Sequence, residues 1–285
     1  MKTITEGNLT WFDFENPTQK DRDWLKNNFN IQKEKIEHIN EYLFLEMRAP
    51  IFRQEKKTTQ SVGLDIFINE NRLITVHNEA IEPLKNFFKK CEKNPELKSK
   101  YFGQTTGHLF YWISEEILDF AERQLVHIGK NINRVEDNMF KETERKLIKE
   151  ISFIKRDILD FRIAVRPLSR IFNTLINRGM KFWPEKSEDL KIYFNDLVGD
   201  YERIWSEIDN YADTINALED THANLLSNKT NNIIKTFTIL SFITFPAILV
   251  SDILAANAAA VYTIVGVVLI TAAFTWIYFK TNKWL

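Results

Sequence analysis

The sequence has one cysteine, Cys91, in 285 residues. A lone thiol excludes a disulfide framework and fits a reducing compartment. There is no P-loop, no GxGxxG and no nucleophile elbow. The five histidines (His38, His77, His108, His127, His222) show no metal-ligand spacing. The residues therefore predict no enzyme and no required cofactor. Charge of either sign is not in excess: 38 Lys+Arg stand against 39 Asp+Glu, a net charge of -1. That excludes the basic surplus of a nucleic-acid binder, and no nucleic-acid partner is expected. The opening stretch MKTITEGNLTWFDFENP lacks an apolar h-region, so no cleaved signal peptide is expected. Charge is scarcest near the other end. Between Thr236 and Phe279 the only charged side chain is Asp252.

A membrane-spanning helix needs about 20 apolar residues. The 44 residues from Thr236 to Phe279 are long enough for two. We place the spans at 236–254 and 259–279, with a short periplasmic turn at 255–258 and a basic tail at 280–285. The other reading is a buried hairpin of a soluble protein, but soluble helices rarely run this far without charge. Two spans leave both flanks on one side. Lys229, Lys235, Lys280 and Lys283 in those flanks predict that this side is the cytoplasm, with both termini in it. Trp276, Tyr278 and Trp284 suit an interfacial position among membrane lipids. The expected location is the inner membrane, multi-pass.

Residues 1–107 read as a mixed α/β cytoplasmic domain. Leu9–Phe14 alternates and ends at the turn signal Asn16-Pro17, and Glu41–Met47 is a short apolar run before Arg48-Ala49-Pro50. Val62–Ile68 and Arg72–His77 are β-rich runs flanking Asn69-Glu70-Asn71, a predicted hairpin. Glu82–Lys90 reads as helix. Residues 108–235 form a long-helix stalk region, with the helical pattern clear from about Ser114. Apolar positions recur in steps of three and four along Leu118–Met139, Leu147–Phe172 and Leu190–Leu218, the seam of a coiled coil. Gly179 and Pro184 mark a break. No breaker follows before the membrane, so one helix from Leu190 to about Asp252 would be roughly 95 Å long at 1.5 Å per residue. Two spans rarely enclose a pore alone, so a conducting subunit of this kind must oligomerise. A membrane anchor for a cytoplasmic sensor needs no pore, and periodicity leaves the two readings open.

Several stretches resemble one family at corresponding places: LSNKTN at Leu226–Asn231, YFKTNKWL at Tyr278–Leu285, TWFDFENP at Thr10–Pro17 and EYLFLEMRAP at Glu41–Pro50. The Val62–His77 hairpin and the helix holding Val165-Arg166-Pro167-Leu168 fit the same pattern. Together they resemble the CorA divalent-cation transporters over nearly the whole chain. The resemblance implies a homopentamer in which each subunit gives an α/β domain, a long stalk helix continuing into a pore-lining first span, and an outer second span. The implied substrate is Mg2+, Co2+ or Zn2+, which also serves as a regulator. The family's Gly-Met-Asn signature falls here on Ala255-Ala256-Asn257, of which only Asn257 is kept. By the resemblance Asn257 would hold a hydrated ion at the mouth, in keeping with the reluctance of Mg2+ to shed water. Ala255 lacks the backbone freedom of Gly. The turn is also short and lacks the family's acidic, aromatic segment. Selectivity is expected to be altered.

Asn231, Thr238, Phe245 and Asp252 are spaced by sevens and share one helix face. By resemblance that face lines the pore, and copies of Asp252 would form a carboxylate ring favouring cations. Asp252 sitting at the interface, pairing with a neighbour or snorkelling outward is the other reading. Ile234, Phe237, Ser241, Phe245 and Ile248 are candidates for the constriction, with Phe237 and Phe245 as a hydrophobic gate, or else ordinary packing residues. Asn231 would ring the inner opening. Two family sensor acids fall on Asp196 and Asp220, either regulatory metal ligands or solvated helix charges. A second functional reading keeps the scaffold and changes the role. Divergent CorA-like proteins beside type III CRISPR systems are thought to be membrane effectors gated by a nucleotide messenger, though the sequence has no nucleotide-binding motif.

Overall fold

Alternation along Leu9–Glu15 puts Trp11 and Asp13 on one side of a strand and Phe12 and Phe14 on the other, and every one of these except Phe12 is buried. Both faces of this strand are therefore covered. The computed structural model describes residues 1–29, 42–53, 58–140, 144–256, 262, 265–266, 268–270, 273 and 276–277. It forms two compact units, Met1–Leu218 and Glu219–Leu285.

The first unit contains a five-stranded sheet of β1 (Lys2–Glu6), β2 (Leu9–Glu15), β3 (Leu43–Arg53), β4 (Thr58–Ile68) and β5 (Arg72–His77), in the order β1-β2-β5-β4-β3. All neighbours are antiparallel except β2 and β5, which run parallel with Trp11 beside Leu73 and Asp13 beside Thr75. The β4–β5 hairpin closes at Asn69, whose side chain accepts from the N–H groups of Asn71 and Arg72. This is the hairpin expected from sequence. Strand β1 was not anticipated, because five residues of weak alternation give little signal. Strand β3 also runs on through Arg48-Ala49-Pro50, which reads in sequence as the end of the run. Pro50 stands in β3, which among the described residues is the edge strand of the sheet, where proline is tolerated.

Helix α1 (Gln19–Phe29) covers one face of the sheet, where Leu25 joins Phe14, Phe67 and Ile74, and Trp24 lies against the Phe12 and Phe14 rings. On the other face α2 (Glu82–Lys93) brings Phe87 and Phe88 to Trp11, at ring separations of 5.8 and 5.0 Å. Its short neighbour α3 (Pro95–Phe102) is capped by Asn94, whose side chain accepts from two backbone N–H groups. The long helices α4 (Thr106–Asn138) and α5 (Glu144–Arg178) follow, and α5 packs on β3 and β4. Most seam residues read from the sequence, including Leu125, Ile128, Ile151, Phe161, Phe172, Phe194 and Ile208, are buried, while Tyr201, Tyr211 and Leu218 are half-buried. At the break, Trp183 donates its indole N–H to Thr106, whose hydroxyl donates to the Asn69 carbonyl, tying break, helix and hairpin together.

Helix α6 (Ser187–Ala256) is a single helix that begins in the first unit and ends in the second. Among the described residues it is the one helix long and apolar enough to cross a membrane. In the segment predicted as a second span, Tyr262, Val265, Gly266, Val268–Ile270, Ala273, Trp276 and Ile277 are helical, and the rest lies outside the described residues.

Candidate functional site

The C-terminal part of α6 is apolar around its whole circumference. Ile233, Ile234, Phe237, Leu240, Phe242, Ile243, Phe245, Ile248 and Leu249 are all exposed, Phe245 at 70%. A helix apolar on every side finds its partners in lipid or in other helices. Several of its hydroxyls are satisfied internally. Thr238 donates to the Ile234 carbonyl at 2.8 Å, Ser241 to the Phe237 carbonyl at 2.8 Å, and Thr244 to the Leu240 carbonyl at 3.0 Å. With each hydroxyl proton committed, the oxygen turns its lone pairs outward, suitable for a cation or its hydration water.

The seven-residue spacing survives in the structure. Asn231, Thr238, Phe245 and Asp252 all lie on unbroken α6, with Asn231, Phe245 and Asp252 exposed and Thr238 half-buried. Ile234, Phe237, Ser241 and Ile248 accompany them on the same helix. Pro246 sits inside α6 and has no N–H to give to its ladder. Ala255 and Ala256 are the last two residues of α6, and Asn257 lies outside the described residues.

Asp196 and Asp220 both fall on α6, Asp196 in the first unit and Asp220 in the second, and both are exposed. Asp196 accepts a hydrogen bond from the Tyr111 hydroxyl of α4 at 2.8 Å. Around it gathers a set of acids that the sequence reading did not single out: Glu115 and Asp119 on α4 and Asp200 on α6. Burial, then the charges of Asp119, Asp196 and Asp200, hold the Glu115 carboxyl above the usual range. Burial likewise raises Asp200; Arg203 opposes it, and Asp196, Asp119 and Glu122 reinforce it. Arg203 bridges Asp200 and Glu122 at 3.0 and 3.3 Å. The signal was legible as carboxylates at i, i+4 and i+7 on one helix and i, i+4 on another, but spacing alone does not say that two helices meet there. Among the described residues no group of three His, Cys, Asp or Glu is placed to hold a metal ion within the chain.

The fold and this helix have close counterparts. A family model described as CorA-like Mg2+ transporter protein matches residues 6–281. The putative metal ion transporter YfjQ of Bacillus subtilis is 22% identical over 259 residues, covering 87% of this chain and 78% of its own. The cobalt/magnesium transport protein CorA of Thermotoga maritima is 20% identical over 266 residues, covering 89% of this chain and 73% of its own. The complete structure of the CorA magnesium transporter from Methanocaldococcus jannaschii superposes with a TM-score of 0.81 at 18% identity, covering all of this chain and 95% of that one.

Proposed function

Because the chain belongs to the CorA-like Mg2+ transporter family, whose members are transporters and not enzymes, we propose that it is a passive divalent-cation channel formed by five copies of the chain. The observation that carries the reading is the α6 face running from Asn231 to Asp252, polar at both ends and aromatic between, on a helix whose apolar surface is left exposed. Copies of that helix around one axis would cover the surface and enclose a path. In this arrangement the divalent cation is substrate rather than resident cofactor. The names of the relatives, which refer to cobalt and magnesium, favour Mg2+ and Co2+.

In the proposed pore Asp252 carboxylates ring the outer end and concentrate cations, with Ala255-Ala256-Asn257 at the mouth. Thr238 and Ser241 offer hydroxyl oxygens to the hydrated ion. Phe237 and Phe245 form the gate, closing the path by excluding water, while Asn231 rings the inner opening. Ala259–Phe279 is the outer, second span, and the Lys-flanked ends and the α/β domain face the cytoplasm of the inner membrane. Asp196 and Asp220 would bind regulatory cations between copies of the chain, where bound charge screens carboxylate repulsion and holds the gate shut.

Growth tests this reading. Expressed in a bacterial strain lacking its own Mg2+ uptake systems, the chain is expected to restore growth at low Mg2+, and Asp252→Asn to lower the rescue. Full membrane expression with no rescue in Mg2+, Co2+ or Zn2+ contradicts a constitutive transporter. Flux that appears only on adding a nucleotide would identify the ligand-gated effector instead.

A further inference from the structure

The central parallel pair of the sheet buries a chain of polar groups whose donors and acceptors can be assigned in sequence. The Trp11 indole can only donate, and it gives its N–H to the Thr75 hydroxyl at 3.0 Å. Thr75 in turn donates to Asp13 Oδ1 at 2.7 Å. That same oxygen lies 3.2 Å from His77 Nε2, while His77 Nδ1 lies 2.6 Å from the Glu79 carbonyl oxygen. Trp11, Asp13, Thr75 and His77 are all buried, none more than 5% exposed. Both ring nitrogens of His77 thus face oxygens that accept. A neutral imidazole has one N–H and would turn a lone pair toward one of them.

We propose that His77 and Asp13 form a proton-operated latch between β5 and β2: a buried imidazolium–carboxylate pair that holds the strands together and loosens when its proton leaves. The two strands run as a parallel pair, and Glu15 stands beside His77 in the register. Losing the proton leaves one ring nitrogen without its N–H, so a lone pair faces either the buried Asp13 carboxylate or the Glu79 carbonyl.

The surroundings favour the charged ring. Burial pushes the His77 pKa down, but the hydrogen bond and charge of Asp13, the Glu79 carbonyl and the Glu15 carboxylate outweigh it, so the net shift is upward. Glu15 is itself paired with Lys2 of β1, and the Glu79 carboxylate with Arg53 of β3. On β4, Asp65 is the register partner of Val76, which places it on the opposite face from His77. Helix α2 covers Trp11 with Phe87 and Phe88, and its buried Cys91 is pushed up to about 12, a neutral thiol. Helix α4 meets the far end of the hairpin through the Thr106 hydroxyl. Because the folded pKa exceeds the unfolded one, the stabilisation is complete below about pH 6.5 and is lost as pH rises through the folded value.

The test uses the full chain in detergent. Solid-state NMR of the 15N-histidine-labelled protein at about pH 7, above the ordinary imidazole pKa, should show one histidine with both ring nitrogens protonated. Its signal should vanish in His77→Gln. Thermal midpoints should fall as pH is raised from about 6.5 to about 9, and the fall should flatten in Asp13→Asn and His77→Gln. A single-tautomer neutral ring for His77 at about pH 6.5, or parallel midpoint-versus-pH curves for wild type and Asp13→Asn, overturns the latch. Should His77→Gln fail to fold, single replacements of the other four histidines assign the signal by elimination.

Discussion

The Tyr111 hydroxyl of α4 donates to the Asp196 carboxylate of α6 at 2.8 Å, so a candidate regulatory acid is already held by its own chain. Tyr111 itself is 5% exposed. Burial first, then the hydrogen bond to Asp196 and the charges of Glu115, Asp196 and Asp200, keeps its hydroxyl protonated and donating. Any cation that binds Asp196 shares the carboxylate with this donor.

Replacing Tyr111 by Phe removes the donor and keeps the ring. The expected loss is about 1 kcal/mol, since Asp196 is exposed and water replaces the lost partner. The rise in thermal midpoint on adding Mg2+ should be larger in Tyr111→Phe than in wild type, because the carboxylate is released. An unchanged Mg2+ response would remove Asp196 from the regulatory site.

Glu115 and Asp200 both bind a proton more tightly in the fold than in the unfolded chain, by burial and by the neighbouring acids. Their contribution is therefore complete below the unfolded carboxylate values of about 4 and is lost as pH rises through the raised folded values. The double substitution Glu115→Gln, Asp200→Asn should raise the midpoint at neutral pH, with the difference closing near pH ~4. The Asp200–Arg203 pair works against this by only about 0–1 kcal/mol, being largely solvated. Thermal unfolding of both proteins across that pH range decides the matter, and a lower midpoint for the variant at neutral pH refutes it.

Asp157 on α5 is buried and accepts the Thr59 backbone N–H at 2.6 Å, pinning the start of β4 to the helix. Burial raises its carboxyl, while the bonds from Thr59 and Thr58 lower it. Asn keeps the acceptor oxygen and sheds the buried charge, so Asp157→Asn should stay within about 1 kcal/mol of wild type at neutral pH. Asp157→Ala leaves the Thr59 N–H unsatisfied and should lose about 1–3 kcal/mol. Equal losses in the two variants would mean that the backbone contact is not what the carboxylate contributes.

Much of this architecture was legible in the sequence because it rests on periodicity. The three-and-four spacing from Leu118 to Leu218 located the buried seams of α4, α5 and α6, and the scarcity of charge after Lys235 located the apolar end of α6. The hairpin at Asn69 followed from turn chemistry. What periodicity does not encode is which elements meet. The acids around Asp196 come from two helices about 80 residues apart in sequence, and the Trp11–Thr75–Asp13–His77 chain joins strands whose pairing depends on a parallel crossover. Pro50 misled for a related reason, since its tolerance in β3 depends on that strand lying at the sheet's edge.

The proposed pore face comes from spacing alone: four residues by sevens, with the single charge of the apolar stretch at the end. Reconstituted into proteoliposomes, the wild-type chain is expected to pass Mg2+ and Co2+ down their gradients in preference to K+. Asp252→Asn should lower divalent flux by about tenfold or more, the effect of losing roughly 1.4 kcal/mol of cation stabilisation at the mouth. Divalent flux that is unchanged in Asp252→Asn, or no flux at any internal Mg2+ concentration, would contradict the account.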